Sequence, residues 1–124
     1  MAPHVHPWVL LVDDNDDGRD GLSQLIRAKG YGVETARDGR EALRKLRDVL
    51  PCIIILDLNM PDMSGHEFRR TQLADEDLRR VPVVVYSAQS DVGEQAVQMN
   101  AAAYAAKPIM IDRLMALIRE HCLK

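Results

Sequence analysis

The sequence lacks the features that mark several classes of protein. No apolar run approaches the ~20 residues that a membrane-spanning helix needs, and no charged segment followed by an apolar one opens the chain. We therefore expect no membrane span and no signal peptide. Excess positive charge is also absent, because the formal net charge is -3. This balance argues against nucleic acid as a partner, since such binding depends on a basic surface.

Cysteine is scarce, and its two occurrences do not form a motif. Cys52 lies in an apolar run and Cys122 near the last residue, and neither belongs to a CxxC pair. This usage favours two reduced thiols in a cytoplasmic protein over a disulfide.

The composition that remains is that of an ordinary globular domain. The chain has 124 residues, of which 47% are hydrophobic, enough for one core and too few for several. No repeat, low-complexity segment or linker interrupts it. We predict a single domain over residues 1–124, with an ordered core from about residue 8 to residue 122.

Short apolar runs bounded by turn residues predict five strands. Three runs are rich in valine, leucine and isoleucine and read as strands buried on both faces, and two are weaker. The predicted strands cover residues 8–12, 31–36, 52–56, 83–86 and 101–106.

Helical spacing and capping residues predict a helix after each strand. Asp38 with Glu41, and Ser64 with Glu67, have the spacing of capping boxes, and Asn100 can adopt the left-handed conformation that ends a helix. Pro51 is expected to end the second helix. The predicted helices cover residues 16–29, 39–50, 65–73, 91–99 and 111–122, and residues 75–80 are expected to be a solvated connection.

Alternating strands and helices of these lengths predict an α/β fold. Five β-α units form a parallel sheet with right-handed crossovers and helices on both faces. We expect the doubly wound, flavodoxin-like three-layer sandwich with strand order 2-1-3-4-5.

Four of the predicted strands stop at a functional group. These groups are Asp13 with Asp14, then Asp57, Ser87 and Lys107. A lone acid after a strand is most often a helix cap or a solvated loop residue. In a parallel sheet, however, all four stops lie at one edge, where ligands bind. We therefore expect a single polar site.

Three carboxylates and one ammonium suggest phosphoryl chemistry. Hard oxygen ligands suit Mg²⁺, which is often shared with a phosphate, and Asp57 has the position of a nucleophile that attacks phosphorus. Lys107 would stabilise charge on the transferring oxygens, and Ser87 can donate a hydrogen bond to one of them.

The strand-end motifs together resemble one family. The segments are VLLVDDND, IIILDLNMPDMSG, VVVYSA and AYAAKPI, and their combination is similar to the receiver domain of bacterial two-component response regulators, such as chemotaxis regulators. The resemblance extends over most of the chain, from Trp8 to Cys122. It implies a phosphorelay switch in the cytoplasm rather than an enzyme, apart from self-catalysed phosphorylation and dephosphorylation.

The resemblance also implies a role for each site residue. Asp57 would be the phosphoacceptor, with Lys107 and Ser87 on the phosphoryl group. Asp14 and Asp57 would bind Mg²⁺ or Mn²⁺ through side chains. The backbone carbonyl of Asn59 would also bind the metal, and Asp13 would act through a metal-bound water. Ser87 and Tyr104 would form the switch pair. The family resemblance also implies a cis peptide bond between Lys107 and Pro108.

The implied partners are a histidine kinase or a His-phosphotransfer protein. Downstream, an effector protein or a second copy of the chain would bind the surface of the fourth helix, fifth strand and fifth helix. Nucleic acid and membrane are not expected as partners.

Other interpretations stay open at this point. A docking module that works without phosphorylation would use the same surface. A phosphatase of the haloacid dehalogenase type also forms an aspartyl phosphate, but that family has a second Asp where Asn59 stands here. Tyr104 alone could be a half-buried strand residue. Ser87 could cap a helix, although Asp91 is an alternative cap.

Overall fold

The computed structural model describes the backbone of residues 5–48, 50–60 and 63–122, and their side chains from residue 8 onward. Five strands and five helices alternate along this part of the chain, in agreement with the predicted order. The strands are β1 (Val5–Val12), β2 (Gly32–Ala36), β3 (Leu50–Asp57), β4 (Val83–Ser87) and β5 (Ala103–Ala106). The helices are α1 (Asp16–Ala28), α2 (Gly39–Asp48), α3 (Gly65–Leu73), α4 (Val92–Gln98) and α5 (Ile111–His121).

The strands form one parallel sheet in the order β2-β1-β3-β4-β5, as predicted. Alternate residues of the central strands point to opposite faces, so the sheet has two apolar faces. Leu10, Ile54 and Val85 pack beneath α2, α3 and α4, whereas Val9 and Ile55 pack beneath α1 and α5. The result is a three-layer sandwich. Among the helices in the described part of the chain, none has both the length and the apolar character that crossing a membrane requires.

The predicted helix caps are present. The Ser64 hydroxyl accepts a hydrogen bond from the Glu67 N–H at 3.2 Å, and the Asp38 carboxylate accepts one from the Glu41 N–H at 2.9 Å. Asn100 has a φ of 55°, the left-handed conformation expected at the end of α4. These local signals place the helix ends to within about two residues, the usual uncertainty of a helix boundary.

The boundary between α2 and β3 was predicted wrongly. Leu50 and Pro51 belong to β3 and not to the end of the helix. β4 pairs only with Ile54 onward, so the first residues of β3 have a neighbour on one side alone. Proline is tolerated at such an unpaired strand edge, where its missing N–H costs no ladder bond. Pro61, which the turn signals of the IIILDLNMPDMSG segment place in a loop, lies outside the described residues.

The connection between α3 and β4 is only partly solvated. A short 3₁₀ turn forms at Leu78–Arg80, and Leu78 is buried. The Gln72 amide donates to the carbonyls of Leu78 and Val81, at 2.9 Å each, and so ties this segment to α3. Because Leu78 is buried, the charged segment is only partly exposed to solvent.

The expectation of two reduced thiols is contradicted. Cys52 on β3 and Cys122 at the end of α5 form a disulfide, with their Cα atoms 5.3 Å apart. Seventy positions separate them in sequence, and only the packing of α5 against the sheet brings them together. No CxxC spacing marks such a pair.

Candidate functional site

Four strands deliver polar side chains to one edge of the sheet. Asp13 follows β1, Asp57 and Ser87 are the last residues of β3 and β4, and Lys107 follows β5. Backbone hydrogen bonds continue the sheet into these positions, because the Lys107 N–H donates to the Ser87 carbonyl at 2.9 Å. The register of parallel strands therefore gathers groups that are far apart in sequence.

The Lys107 ammonium lies between two buried carboxylates. Its Nζ is 3.1 Å from Asp57 Oδ2 and 3.8 Å from Asp13 Oδ2. Asp57 is 1% exposed and Asp13 is 3% exposed, so both need neutralising contacts that solvent does not supply. The peptide bond between Lys107 and Pro108 is cis, as the family resemblance implies.

Backbone N–H groups fix the second oxygen of each buried acid. Asp57 Oδ1 accepts from the Asn59 N–H at 3.1 Å, and Asp13 Oδ1 accepts from the Asn15 N–H at 2.9 Å. Asn15 also caps α1, since its side chain accepts from the Gly18 N–H at 2.7 Å. Both carboxylates are thus oriented by the loops that follow their strands.

Gly65 allows α3 to begin directly beside the end of β3. A Cβ atom at this position would lie 2.9 Å from the Asp57 carbonyl oxygen and 3.0 Å from the Leu58 Cα. Real Cβ atoms do not approach backbone so closely, so glycine is required here by space. The glycine of the D-x-x-M-P-x-M-x-G motif therefore has a packing role next to the acid.

Tyr86 completes the site and was missed by the sequence analysis, which treated it only as a strand residue. Its hydroxyl donates to Asp13 Oδ2, and Lys107 Nζ lies 4.7 Å from the centre of its ring. Tyr86 is paired in register with Asp57, which directs it to this edge. The available signal was a hydroxyl-bearing residue in a run of valines immediately before Ser87.

The electrostatics of the site raise two pKa values. Burial raises the pKa of the Asp57 carboxyl from 3.8 to about 6, and the Asp13 charge acts in the same direction, while the Asn59 N–H and Lys107 oppose the shift. Burial also raises the pKa of Tyr86, and its hydrogen bond to the Asp13 carboxylate adds to this effect. At neutral pH, Asp57 is therefore mostly ionised and Tyr86 is a hydrogen-bond donor.

Three carboxylates offer a cation site. Asp13, Asp14 and Asp57 each present an oxygen, and these oxygens all lie within 4.8 Å of one another. Asp14 is exposed, whereas the other two are buried. Hard, partly solvated oxygen donors at this spacing fit Mg²⁺, which keeps several waters as ligands. The chemistry of the donor set thus agrees with the predicted metal.

Ser87 and Asn59 are linked to each other at the same edge. The buried Ser87 Oγ accepts from the Gln89 N–H at 3.0 Å and from the Asn59 side-chain amide at 3.4 Å. Gln89 in turn donates to the Asn59 side-chain carbonyl at 3.4 Å. The Ser87 hydroxyl hydrogen is left to donate. This hydroxyl stabilises the loop after β4 and does not cap α4.

Tyr104 lies away from the acids. Its side chain is on β5 and 47% exposed, and its ring packs so closely over Gly93 of α4 that a Cβ there would be 3.1 Å from the ring. The Arg113 guanidinium donates to the Tyr104 carbonyl at 3.0 Å. The structure thus brings together Asp13, Asp14, Asp57 and Lys107, and places Tyr104 outside this group.

The chain is similar to known proteins over nearly its whole length. A family profile described as "Response regulator receiver domain" matches residues 9–119. The transcriptional regulatory protein PrrA of Mycobacterium leprae is 39% identical over 116 residues, which are 91% of this chain and 48% of PrrA. The polar-differentiation response regulator DivK of Brucella ovis is 34% identical over 115 residues, which are 91% of this chain and 94% of DivK. This chain therefore spans about half the length of PrrA and most of DivK.

A solved structure agrees in fold. The receiver domain of the sensor histidine kinase PA1611 from Pseudomonas aeruginosa matches with a TM-score of 0.83 at 28% identity, over 97% of this chain and 98% of that one. That structure has a magnesium ion coordinated in its active site cleft.

Proposed function

The chain belongs to the response regulator receiver domain family, and from this premise we propose that Asp57 accepts a phosphoryl group and switches the domain between two states. One observation carries the proposal: the buried Asp57 carboxylate is held by Lys107 at 3.1 Å beside two further acids. A carboxylate in this position is ionised at neutral pH and faces the groups that stabilise phosphoryl oxygens.

The reaction transfers the phosphoryl group from nitrogen to oxygen. A carboxylate oxygen of Asp57 bonds to phosphorus as the bond from phosphorus to the imidazole of a partner's phosphohistidine breaks, and the imidazole keeps the electron pair and takes up a proton. Lys107 supplies a positive charge for the phosphoryl oxygens, and Ser87 donates a hydrogen bond to one of them. Receiver domains act as phosphoacceptor switches, so the only catalysis proposed is phosphorylation and dephosphorylation of this domain itself.

A divalent cation fits this reaction. Asp14 and Asp57 would bind Mg²⁺ or Mn²⁺ through their side chains, Asn59 through its backbone carbonyl and Asp13 through water. When bound, the cation neutralises the acids and draws charge from the phosphoryl oxygens.

The output of the switch is proposed at the surface of α4, β5 and α5. Ser87 would move toward the phosphoryl group and Tyr104 would turn inward from its exposed position. Val97 and Met110, with 79% and 71% of their surface exposed, give this face an apolar character. Such a face suits an effector protein or a second copy of the chain.

The proposed phosphodonor is a histidine kinase or a His-phosphotransfer protein. A cytoplasmic location is part of the proposal, as the resemblance to two-component receiver domains implies.

Incubation with acetyl phosphate and Mg²⁺, followed by intact mass measurement, tests the proposal. We expect one phosphoryl adduct on wild type, none on Asp57→Asn, and an unchanged adduct on Asp20→Asn, which alters an exposed acid of α1. An adduct that persists in Asp57→Asn would contradict the assignment. A domain that takes no adduct and still binds its partner would instead be a docking module that works without phosphorylation.

A further inference from the structure

We propose that Tyr86 is a positioning residue that holds the Asp13 carboxylate in place for the divalent cation. This inference rests on the proposed function only in taking Mg²⁺ as the cation of the site. Neither the family resemblance nor the strand-end motifs assign a role to this position.

The Asp13 carboxylate has few ways to be satisfied. It is 3% exposed, and its Oδ1 accepts from the Asn15 N–H at 2.9 Å. Its Oδ2 accepts from the Tyr86 hydroxyl and lies 3.8 Å from Lys107 Nζ. Among the described residues, Tyr86 therefore supplies the one neutral hydrogen bond to the Asp13 oxygen that faces the ammonium.

The Tyr86 hydroxyl is held rigidly. The side chain is 1% exposed and packs in the core between the sheet, α1 and α5. Its backbone is fixed as well, because the Leu58 N–H donates to the Tyr86 carbonyl at 3.2 Å. A donor on such a fixed ring can define the orientation of the carboxylate that it contacts.

The distances indicate what this contact prevents. Lys107 is closer to Asp57, at 3.1 Å, than to Asp13, at 3.8 Å. Without the Tyr86 hydroxyl, the Lys107 ammonium would be the nearest charged partner of the buried Asp13 carboxylate. The carboxylate would then move toward the ammonium. Asp13 would then turn away from the cation and compete with Asp57 for the lysine. Tyr86 thus keeps Asp13 available for the metal and Lys107 available for the phosphoacceptor.

The test is Mg²⁺ affinity measured by calorimetry without any phosphodonor. Tyr86→Phe keeps the ring beneath Lys107 and removes only the hydroxyl. We expect its dissociation constant for Mg²⁺ to rise about tenfold, the lower end of the effect of removing a partner of a metal ligand. The matched control is Tyr31→Phe, the same change at a buried tyrosine before β2 and away from this edge, with an unchanged constant. An unchanged or tighter Tyr86→Phe would overturn the inference.

A double-mutant cycle separates positioning from a structural effect. If Tyr86 acts through Asp13, Tyr86→Phe should change the Mg²⁺ affinity no further in an Asp13→Asn background. A full additional loss in that background would show that the hydroxyl acts on the fold in general, and would overturn the inference.

A spectroscopic readout covers the case in which Tyr86→Phe fails to fold. The protein has three tyrosines, so ¹³C labelling at the tyrosine Cζ gives three resonances. We expect one of them to shift in Asp13→Asn and to move during an Mg²⁺ titration of wild type, and the variants Tyr31→Phe and Tyr104→Phe to retain it. A Tyr86 resonance that shifts neither in Asp13→Asn nor during the Mg²⁺ titration would overturn the inference. Since no phosphodonor is present, a protein that takes no phosphoryl group can still pass this test.

Discussion

Asp57 shows how a single buried residue makes the stability of the domain depend on pH. Its pKa is raised to about 6 in the folded protein because burial disfavours its charge. The folded protein thus holds this proton more tightly than the unfolded chain does. As pH rises from about 4 to about 6, the unfolded chain loses the proton first, and the free energy of unfolding falls.

Asp57→Asn should remove this loss of stability. Without divalent cation, we expect the variant to unfold at higher urea than wild type at neutral pH, with a gain of roughly 2–3 kcal/mol. The difference should disappear below about pH 3, where the wild-type carboxyl is protonated in both the folded and the unfolded state. The exposed Asp20→Asn serves as the control. A gain that is the same at both pH values would contradict burial of the charge as its cause.

At the scale of elements, α3 and α4 are joined by one buried guanidinium. Arg69 is 6% exposed, and burial lowers its pKa. It donates to the carbonyls of Met99 at 3.0 Å and Asn100 at 2.8 Å, and to the Gln72 side-chain oxygen at 2.7 Å. All three acceptors are neutral, and two belong to the C-terminal end of α4, where a positive charge is favourable. From the sequence, the pair Arg69 and Arg70 is expected to lie on a solvated face, and this expectation is wrong for Arg69, whose guanidinium is buried.

Arg69→Met should remove the hydrogen bonds between α3 and the end of α4 and so destabilise the protein. The substitution keeps much of the apolar stem but leaves the Met99 and Asn100 carbonyls and the Gln72 side-chain oxygen without their donor. We therefore expect a loss of about 3 kcal/mol in the free energy of unfolding. Arg70→Met, at the exposed neighbouring position, is the matched control and should change it by less than about 0.5 kcal/mol. Equal urea midpoints for the two variants would show that the buried contacts contribute nothing.

At the scale of the whole molecule, the Cys52–Cys122 disulfide closes most of the chain into a loop. It joins the start of β3 to the end of α5 across a sequence separation of 70, at the end of the sheet opposite to the acids. A cross-link over a loop of this length restricts the unfolded chain, by about 4 kcal/mol on the chain-entropy account. A reducing cytoplasm would act against this bond.

Reduction should therefore lower the melting temperature of wild type. We expect a downward shift on adding dithiothreitol, and none for Cys122→Ser, which lacks the bond from the start. Alkylation of the unfolded protein before reduction should modify neither cysteine of the oxidised form. The cross-link would be contradicted if both cysteines of the unreduced wild type were alkylated and if dithiothreitol left its melting temperature unchanged.

The order of elements and the chemistry of the strand ends could be read from local patterns. Runs such as 52–56 and the caps at Ser64 and Asp38 depend on neighbours in sequence, so their propensities act in the unfolded chain as well. The start of β3 could not be read in this way. Leu50 continues the helical pattern and Pro51 is a helix-ending residue, and only the adjacent β1 decides that both join the sheet.

The sequence alone determined that a parallel sheet would carry Asp13, Asp57, Ser87 and Lys107 at one edge, because strand direction and chain order leave no other arrangement. Only the tertiary structure decided which groups touch. The Tyr86 hydroxyl on Asp13, the Arg69 contacts to α4 and the Cys52–Cys122 bond join positions from 30 to 73 residues apart. Such contacts depend on side-chain packing between elements, which leaves no periodicity or spacing in the sequence.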